Sequence, residues 1–446
     1  MPNIETQAIF YPDYAGSKAY RIPSMITTRK GTVIAGIDAR IVDQTDNPNQ
    51  IEVAIRRSGD NGKTWNPIQR LVAFAGEGLD GAAAIDSSLL QDEETGTLFM
   101  LYMHTPGGIG LWASEAGVGF DSKGNRKLFD SAGNTYLLSE DGKVIDFEGN
   151  ATDYTVDKEG YVFKGDEAQG NIYYKKGIDS NESLLEARTS FLQVIKSDDD
   201  GLTWSEPREL NPLVKEEWMR FIGSGPGCGI QLKHGEKAGR LAFPIYFSNK
   251  TGHMSCALIY SDDHGVTWQR GESPNDGREL DGETLTAETI SDHKQMLTES
   301  QVIELPNGEL KYYLRNHYGL QRTAVTTSTD GGKTWGEVTF DMTLVDPICQ
   351  SSVILYPDQG DGKVRVLFSN PDNETKREKG TIRLSEDGGK TWPYSKVIED
   401  SHYGYSCLTV LKNGEIGVLF EKVYDYDNWN NMDIQFGTFT LDWLKS

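Results

Sequence analysis

The sequence predicts an all-β protein: a six-bladed β-propeller carrying a small inserted β-rich domain. Two repeats and one irregular interval predict it. A turn motif recurs five times, a β-hairpin pattern recurs six times, and one interval between turn motifs is far longer than the rest. Frequent glycine (48 residues) and 10% aromatics suit many short strands joined by tight turns.

The turn motif reads S-x-D-x-G-x-T-W. It runs from Ser58 to Trp65, Ser197 to Trp204, Ser261 to Trp268, Ser328 to Trp335 and Ser385 to Trp392. Asp and Gly stand where a tight turn needs them, and Trp gives it an apolar backing. The carboxylates of these motifs are therefore read as turn formers, not as catalysts.

Six hairpins follow from paired apolar runs around Gly-containing turns. They are RIPSMITT/TVIAGIDA around Gly31 and IDSSLLQD/TLFMLYMH around Gly96. Next come GIQLKHG/GRLAFPIY around Gly235 and Gly239, and SQVIELPNG/ELKYYLRN around Gly308. The last two are SSVILYPD/KVRVLFSN around Gly360 and Gly362, and SCLTVLKNG/EIGVLFEK around Gly414. Every hairpin but the last precedes a turn motif; the last precedes the strand-like DIQFGTFTLDW. The unit is a hairpin, a third strand, the turn and an outer strand. Radial repetition of such units protects sheet edges.

The motif tryptophans are 139, 64, 67 and 57 residues apart, so the first interval exceeds the second by 75. Residues 111–185 account for the excess. They carry the turns SKGN, SAGN, EDGK, FEGN and KEGY between short strand-like runs. They form the predicted insert, leaving 1–110 and 186–446 to the propeller.

A net charge of −23 and a pI near 4.8 repel nucleic acid and anionic membranes. An anionic ligand would need a local arginine cluster acting against that field. Cys228, Cys256, Cys349 and Cys407 lie far apart, without CxxC or Cys/His spacing. No metal site and no organic cofactor is expected, and the four read as inert core thiols. No run of 18 apolar residues predicts a membrane span. The opening MPNIETQAIF has neither the basic nor the apolar region of a secretory leader. The expectation is a cytosolic chain, or an exported one whose leader has been removed.

Antiparallel partners share a constant index sum. With turns centred near 30.5, 307 and 413, Arg21 should oppose Arg40, Glu299 should oppose Arg315, and Tyr405 should oppose Glu421. All three pairs would then sit at the open ends of their hairpins, on one face. Asp46 follows Arg40 by six residues in the loop DQTDNPNQ, and Arg377 lies in PDNETKREKG beyond the fifth hairpin. Two arginines facing each other repel unless an anion lies between them. Planar guanidinium forks suit a carboxylate. The opposed pair is the strongest sign of an anionic ligand.

With Arg21-Ile22-Pro23 and the repeated turn motifs, known there as Asp boxes, the chain resembles bacterial sialidases of glycoside hydrolase family 33. The resemblance covers essentially the whole chain, inserted domain included. It implies a carboxylate-binding triad at Arg21, Arg315 and Arg377, with Ile22 beside it. It implies an acid/base Asp46, a Glu299 within TESQ and a nucleophilic Tyr405 within YSCL. Arg40 and Asp86 would contact the O4 end of the sugar. Ile85, Phe221 and Tyr246 would wall the acetamido and glycerol arms.

The implied reaction is retaining hydrolysis of terminal sialic acid from glycoproteins, glycolipids and oligosaccharides, through a covalent sialyl-tyrosine. Sialic acid carries a carboxylate on its anomeric carbon, so a carboxylate nucleophile would meet like charge. A neutral Tyr405 deprotonated by Glu299 avoids this. Asp46 would protonate the leaving oxygen and then activate water. Trp429, in the loop YDYDNWNNM, resembles the aglycone-side Trp of intramolecular trans-sialidases, although the loop here is longer. That alternative releases a 2,7-anhydro sugar; a 2,3-didehydro product is a further one, and a non-catalytic sialoside-binding propeller the last. The partners implied are sialylated glycans, with no nucleic acid. The protein is expected to be a monomer, secreted or at the cell surface, with a cytoplasmic location as the alternative.

Overall fold

The computed structural model describes residues 4–174, 183–424 and 428–446. The chain is all-β and propeller-like. Its inner strands touch one another in sequence around a ring. Ala19–Thr27 touches Ala83–Gln91, which touches Ile222–Ser224; Leu241–Ser248, paired beside Ile222–Ser224, touches Leu297–Glu304. Leu297–Glu304 touches Ser352–Leu355, which touches Ser406–Val410, which returns to Ala19–Thr27.

In the four-stranded sheets the predicted hairpin supplies one edge strand and its neighbour. Leu297–Glu304, Leu310–Asn316, Arg322–Ser328 and Thr339–Val345 build one four-stranded antiparallel sheet in chain order. Ser352–Leu355 to Tyr394–His402 build another. The last hairpin, Ser406–Val410 with Ile416–Val423, is followed by Met432–Phe439 as predicted. Its fourth strand comes from the other end of the chain: Thr6–Phe10 pairs antiparallel with Met432–Phe439. The first two hairpins share one nine-stranded sheet. The join between Ile51–Ser58 and Ala83–Gln91 is a single parallel pairing, Ile51 with Ala83.

The five turn motifs share one hydrogen-bond pattern. In the first, Ser58 Oγ donates to Asp60 Oδ1 at 2.8 Å, and Asp60 takes Thr64 N and Thr64 Oγ1 at 2.9 and 2.7 Å. The Gly62 amide donates to Ser58 Oγ at 2.9 Å, with Gly62 at φ 83. The carboxylates are consumed within the turns, as their spacing predicts. Apolar side chains of neighbouring sheets interlock between them; Leu101 and Val194 pack with Phe243, Ile259 and Trp268.

A seven-stranded antiparallel sheet spans Arg126–Phe129 to Glu167–Asn171, with Leu185–Glu186 returning beside Arg126–Phe129. It has its own apolar cluster of Leu128, Val144, Val156, Val162, Ile172 and Leu184. A buried polar link ties it to the ring. His104 Nε2 lies 2.5 Å from Glu186 Oε1, and Arg126 donates to Glu186 and Glu209. Part of the stretch read as the insert, residues 175–182, lies outside the described residues.

Candidate active site

A pocket of about 490 Å³ opens where the inner strands end. It is lined by Arg21, Ile22, Asp46, Ile85, Asp86, Phe221, Tyr246, Glu299, Arg315, Arg377 and Tyr405, eleven of the thirteen residues singled out from the sequence. A larger hollow of about 690 Å³, bordered by Phe129, Tyr173 and Arg188, contains none of them.

The first hairpin departs from the predicted register. Its index sum is 60 at the turn, where Thr27 pairs with Val33. A bulge at Ile22 and Pro23 lowers it to 59, so Arg21 faces Asp38 and Arg40 faces Ala19. Pro23 brings no N–H to the ladder, and Ile22 sits in the left-handed region at φ 61. The predicted face-to-face arginine pair is therefore not formed. Arg40 is fully buried and does not line the pocket. Its Nη1 donates to Asp46 Oδ1 at 2.7 Å and to the Gln44 carbonyl at 2.6 Å, and its Nη2 donates to Asp38 Oδ2 at 3.2 Å.

In the fourth hairpin, the pairing slips between Leu297 and Ser300, leaving Thr298 and Glu299 across from Arg315. Arg315 Nη1 donates to Glu299 Oε2 and, at 2.8 Å, to the Tyr405 hydroxyl oxygen. The Tyr405 hydroxyl lies 2.6 and 2.7 Å from the two Glu299 oxygens. In the last hairpin, the Glu421 amide donates to the Tyr405 carbonyl at 3.0 Å, the pairing the index sum predicts. The Arg21 and Arg377 guanidinium carbons lie 5.7 and 5.4 Å from the centre of the Tyr405 ring.

Glu421 is a contributor that sequence reasoning located opposite Tyr405 but gave no role. Its side chain is fully buried. Oε1 accepts from Arg21 Nε at 3.2 Å and from the Ile22 amide at 3.0 Å; Oε2 accepts from the Tyr405 amide at 3.0 Å. His293 and His317 also line the pocket and were missed, although His317 stands two residues past Arg315 on the same strand end. Their rings meet through His317 Nδ1 and His293 Nε2 at 3.0 Å. Trp112 was missed because its stretch had been assigned to the insert.

Trp429 lies outside this pocket. It packs edge-to-face on His402 with ring centres 4.9 Å apart, and borders a neighbouring hollow that it shares with Arg377. Residues 425–427 of its loop lie outside the described residues. The opposite wall is made by Phe221 and Tyr246, whose rings are 5.2 Å apart. The Tyr246 hydroxyl donates to Asp86 Oδ2 at 2.9 Å.

Electrostatics divide the acids. Burial pushes the Tyr405 phenol well above its ordinary range; Arg315 opposes this and Glu299 adds to it. The resting phenol is neutral. Burial likewise raises Asp86 well above the ordinary carboxylate range, reinforced by Asp38, Glu299 and Asp46. Asp46 behaves oppositely. Crowding disfavours its charge, but Arg40, then Arg21, outweigh that and hold the carboxyl down at about 2. Burial, then Arg315 and His293, lowers His317 to about 3.

The arrangement offers guanidinium forks to a carboxylate, a phenol bonded to a carboxylate, and one separate carboxylate on a loop. Among the described residues, no group of three or more His, Cys, Asp or Glu could hold a metal ion.

Residues 172–418 match the BNR repeat-like domain family. A solved intramolecular trans-sialidase from Ruminococcus gnavus is 31% identical, superimposes with a TM-score of 0.80, and matches over 98% of both chains. The chain belongs to the sialidase family. Other sialidases share it along nearly the whole chain. The anhydrosialidase of Macrobdella decora is 30% identical over 96% of this chain and 60% of its own length. The sialidase of Micromonospora viridifaciens is 29% identical over 96% of this chain and 52% of its own. The chain thus spans only about half to three-fifths of the length of these two curated sialidases.

Proposed function

We propose that the protein is a retaining exo-α-sialidase that releases terminal sialic acid from glycans by hydrolysis. The observation that carries this is the Tyr405 hydroxyl lying within 2.7 Å of both Glu299 oxygens, among the guanidinium groups of Arg21, Arg315 and Arg377. The arginines take the sugar carboxylate and fix the ring. Glu299 removes the phenolic proton as Tyr405 attacks the anomeric carbon, giving a sialyl-tyrosine. Asp46 gives a proton to the leaving oxygen, then takes one from the entering water. Its carboxyl is ionised in the free protein. A bound carboxylate offsets Arg21 and Arg377, so the substrate itself raises the proton affinity of Asp46.

In this reading the ring has six blades, the nine-stranded sheet counting as two. The turn motifs act as Asp boxes, and 111–185 form an inserted domain. Export suits a protein acting on extracellular glycans, and a monomer suffices because one chain supplies every pocket residue named.

A second reading, an intramolecular trans-sialidase, is favoured by the likeness to the Ruminococcus gnavus protein and to a solved leech intramolecular trans-sialidase. Hydrolysis is preferred because Trp429 packs on His402 outside the pocket lining. A mass spectrum of the sugar released from an α2,3-sialoside separates the two. Free sialic acid supports hydrolysis and a 2,7-anhydro sugar overturns it. Tyr405→Phe and Asp46→Ala should each lower turnover of a fluorogenic sialoside by several orders of magnitude. Full activity in either variant refutes the assignment.

A further inference from the structure

Two bulges in the pocket wall are held in the same way. Ile22, at φ 61, donates its amide to Glu421 Oε1 at 3.0 Å. Asp86, at φ 63, donates its amide to Asp38 Oδ1, also at 3.0 Å. The two carboxylates occupy equivalent places. Glu421 faces Tyr405 across the last hairpin and Asp38 faces Arg21 across the first; both side chains are fully buried. Each also reaches a charged partner. Glu421 takes Arg21. Asp38 takes Arg40 Nη2 at 3.2 Å, and the other end of that guanidinium holds Asp46 at 2.7 Å.

We propose that Asp38 is a positioning residue for the pocket, fixing Asp86 through its bulge amide and Asp46 through Arg40. The inference deepens the sialidase reading and rests on it for the role of Asp46. Left-handed backbone at a residue with a Cβ persists only where surroundings hold it, and the Asp38 oxygen supplies that hold for Asp86. Arg40, with no exposed surface, divides its charge between Asp38 and Asp46. Asp46 also feels Arg21 and Arg377, while Asp86 faces Glu299 and the Tyr246 hydroxyl. Asp38 thereby moderates how strongly Arg40 keeps Asp46 ionised.

The test is Asp38→Asn. Burial raises the Asp38 carboxyl to about 7 against the pull of Arg40, so its charge is present on the alkaline side. Asparagine keeps the shape but has one oxygen for two donors, and on that side it leaves the whole Arg40 charge to Asp46. The alkaline limb of kcat, which reports the acid in the substrate complex, should move to lower pH by about half a unit or more. Arg40→Gln should move it to higher pH. Equal scaling of turnover at every pH in Asp38→Asn, with the limb in place, overturns the proposal. Should that variant not fold, an unmoved limb in Arg40→Gln overturns it instead. If the wild-type chain turns over no sialoside, the functional reading falls, and the crystal structure of Asp38→Asn decides the positioning role. Displaced Arg40 and Asp86 support it; unmoved ones refute it.

Discussion

Glu421→Gln removes one negative charge while keeping the size and shape of the side chain. The wild-type carboxylate accepts from Arg21 Nε, the Ile22 amide and the Tyr405 amide, at 3.2, 3.0 and 3.0 Å. The glutamine has one oxygen for these donors and presents an NH2 where an acceptor stood. Breaking one side of a buried ion pair costs about 3–5 kcal/mol, because the remaining charge is left desolvated. Retained hydrogen bonds favour the lower end, and a domain of this size should lose on the order of 5 °C in Tm. Arg21 and Tyr405 both lose an anchor, and a misplacement of about 1 Å in a reacting group costs about 100-fold in rate. The expected result is a kcat/KM for a sialoside about 100-fold below wild type. Burial opposes the Glu421 charge, but Arg21 and the two amides prevail and hold its carboxyl below the usual range. Its stabilising contribution is therefore present above the unfolded value of about 4.3 and is lost as pH falls through the folded one. The Tm gap between variant and wild type should narrow in acid. Equal Tm and equal kcat/KM at neutral pH would refute the reasoning.

Three further outcomes follow from the same geometry. His317 is held neutral down to about 3, so unfolding takes up a proton between its ordinary value and that one. Stability should fall as pH drops from about 6.5 towards 3, by at most about 1.4 kcal/mol per unit for this group. In urea titrations His317→Asn should flatten the slope, and an unchanged slope would refute the assignment. Asp60→Ala removes the acceptor at the centre of the first turn motif, remote from the pocket. Calorimetry should show a Tm lower by a few degrees with kcat/KM unchanged. Trp429→Ala removes a support of His402 beside Arg377 without touching the pocket lining. It should raise KM a few-fold while the released product stays the same by mass spectrometry.

Repetition made much of the arrangement legible. The turn motifs and paired apolar runs located the hairpins, and constant index sums carried Glu299 to Arg315 and Tyr405 to Glu421. The same arithmetic failed at Arg21 in two steps: the strands pair on a sum of 60 from the turn onward, one below the sum implied by a centre at 30.5, and a bulge lowers it again to 59, which nothing in a periodic pattern announces beyond the proline beside it. Arg40 therefore looked like a second ligand-facing guanidinium, whereas it is buried beneath Asp46. Trp429 lies in a loop, where no periodicity fixes direction. Thr6–Phe10 was not assigned because its partner, Met432–Phe439, stands at the opposite end of the chain.

The strand Thr6–Phe10 has a bearing on biosynthesis. Within this sequence, Thr6–Phe10 can find its neighbour only after Met432–Phe439, more than 400 residues on, has been synthesised. Across that same seam, Arg21 and Ile22 from the opening hairpin meet Tyr405 and Glu421 from the closing one. Until that seam closes, the chain holds separate halves of the proposed catalytic apparatus, and competence waits for the circle to be latched.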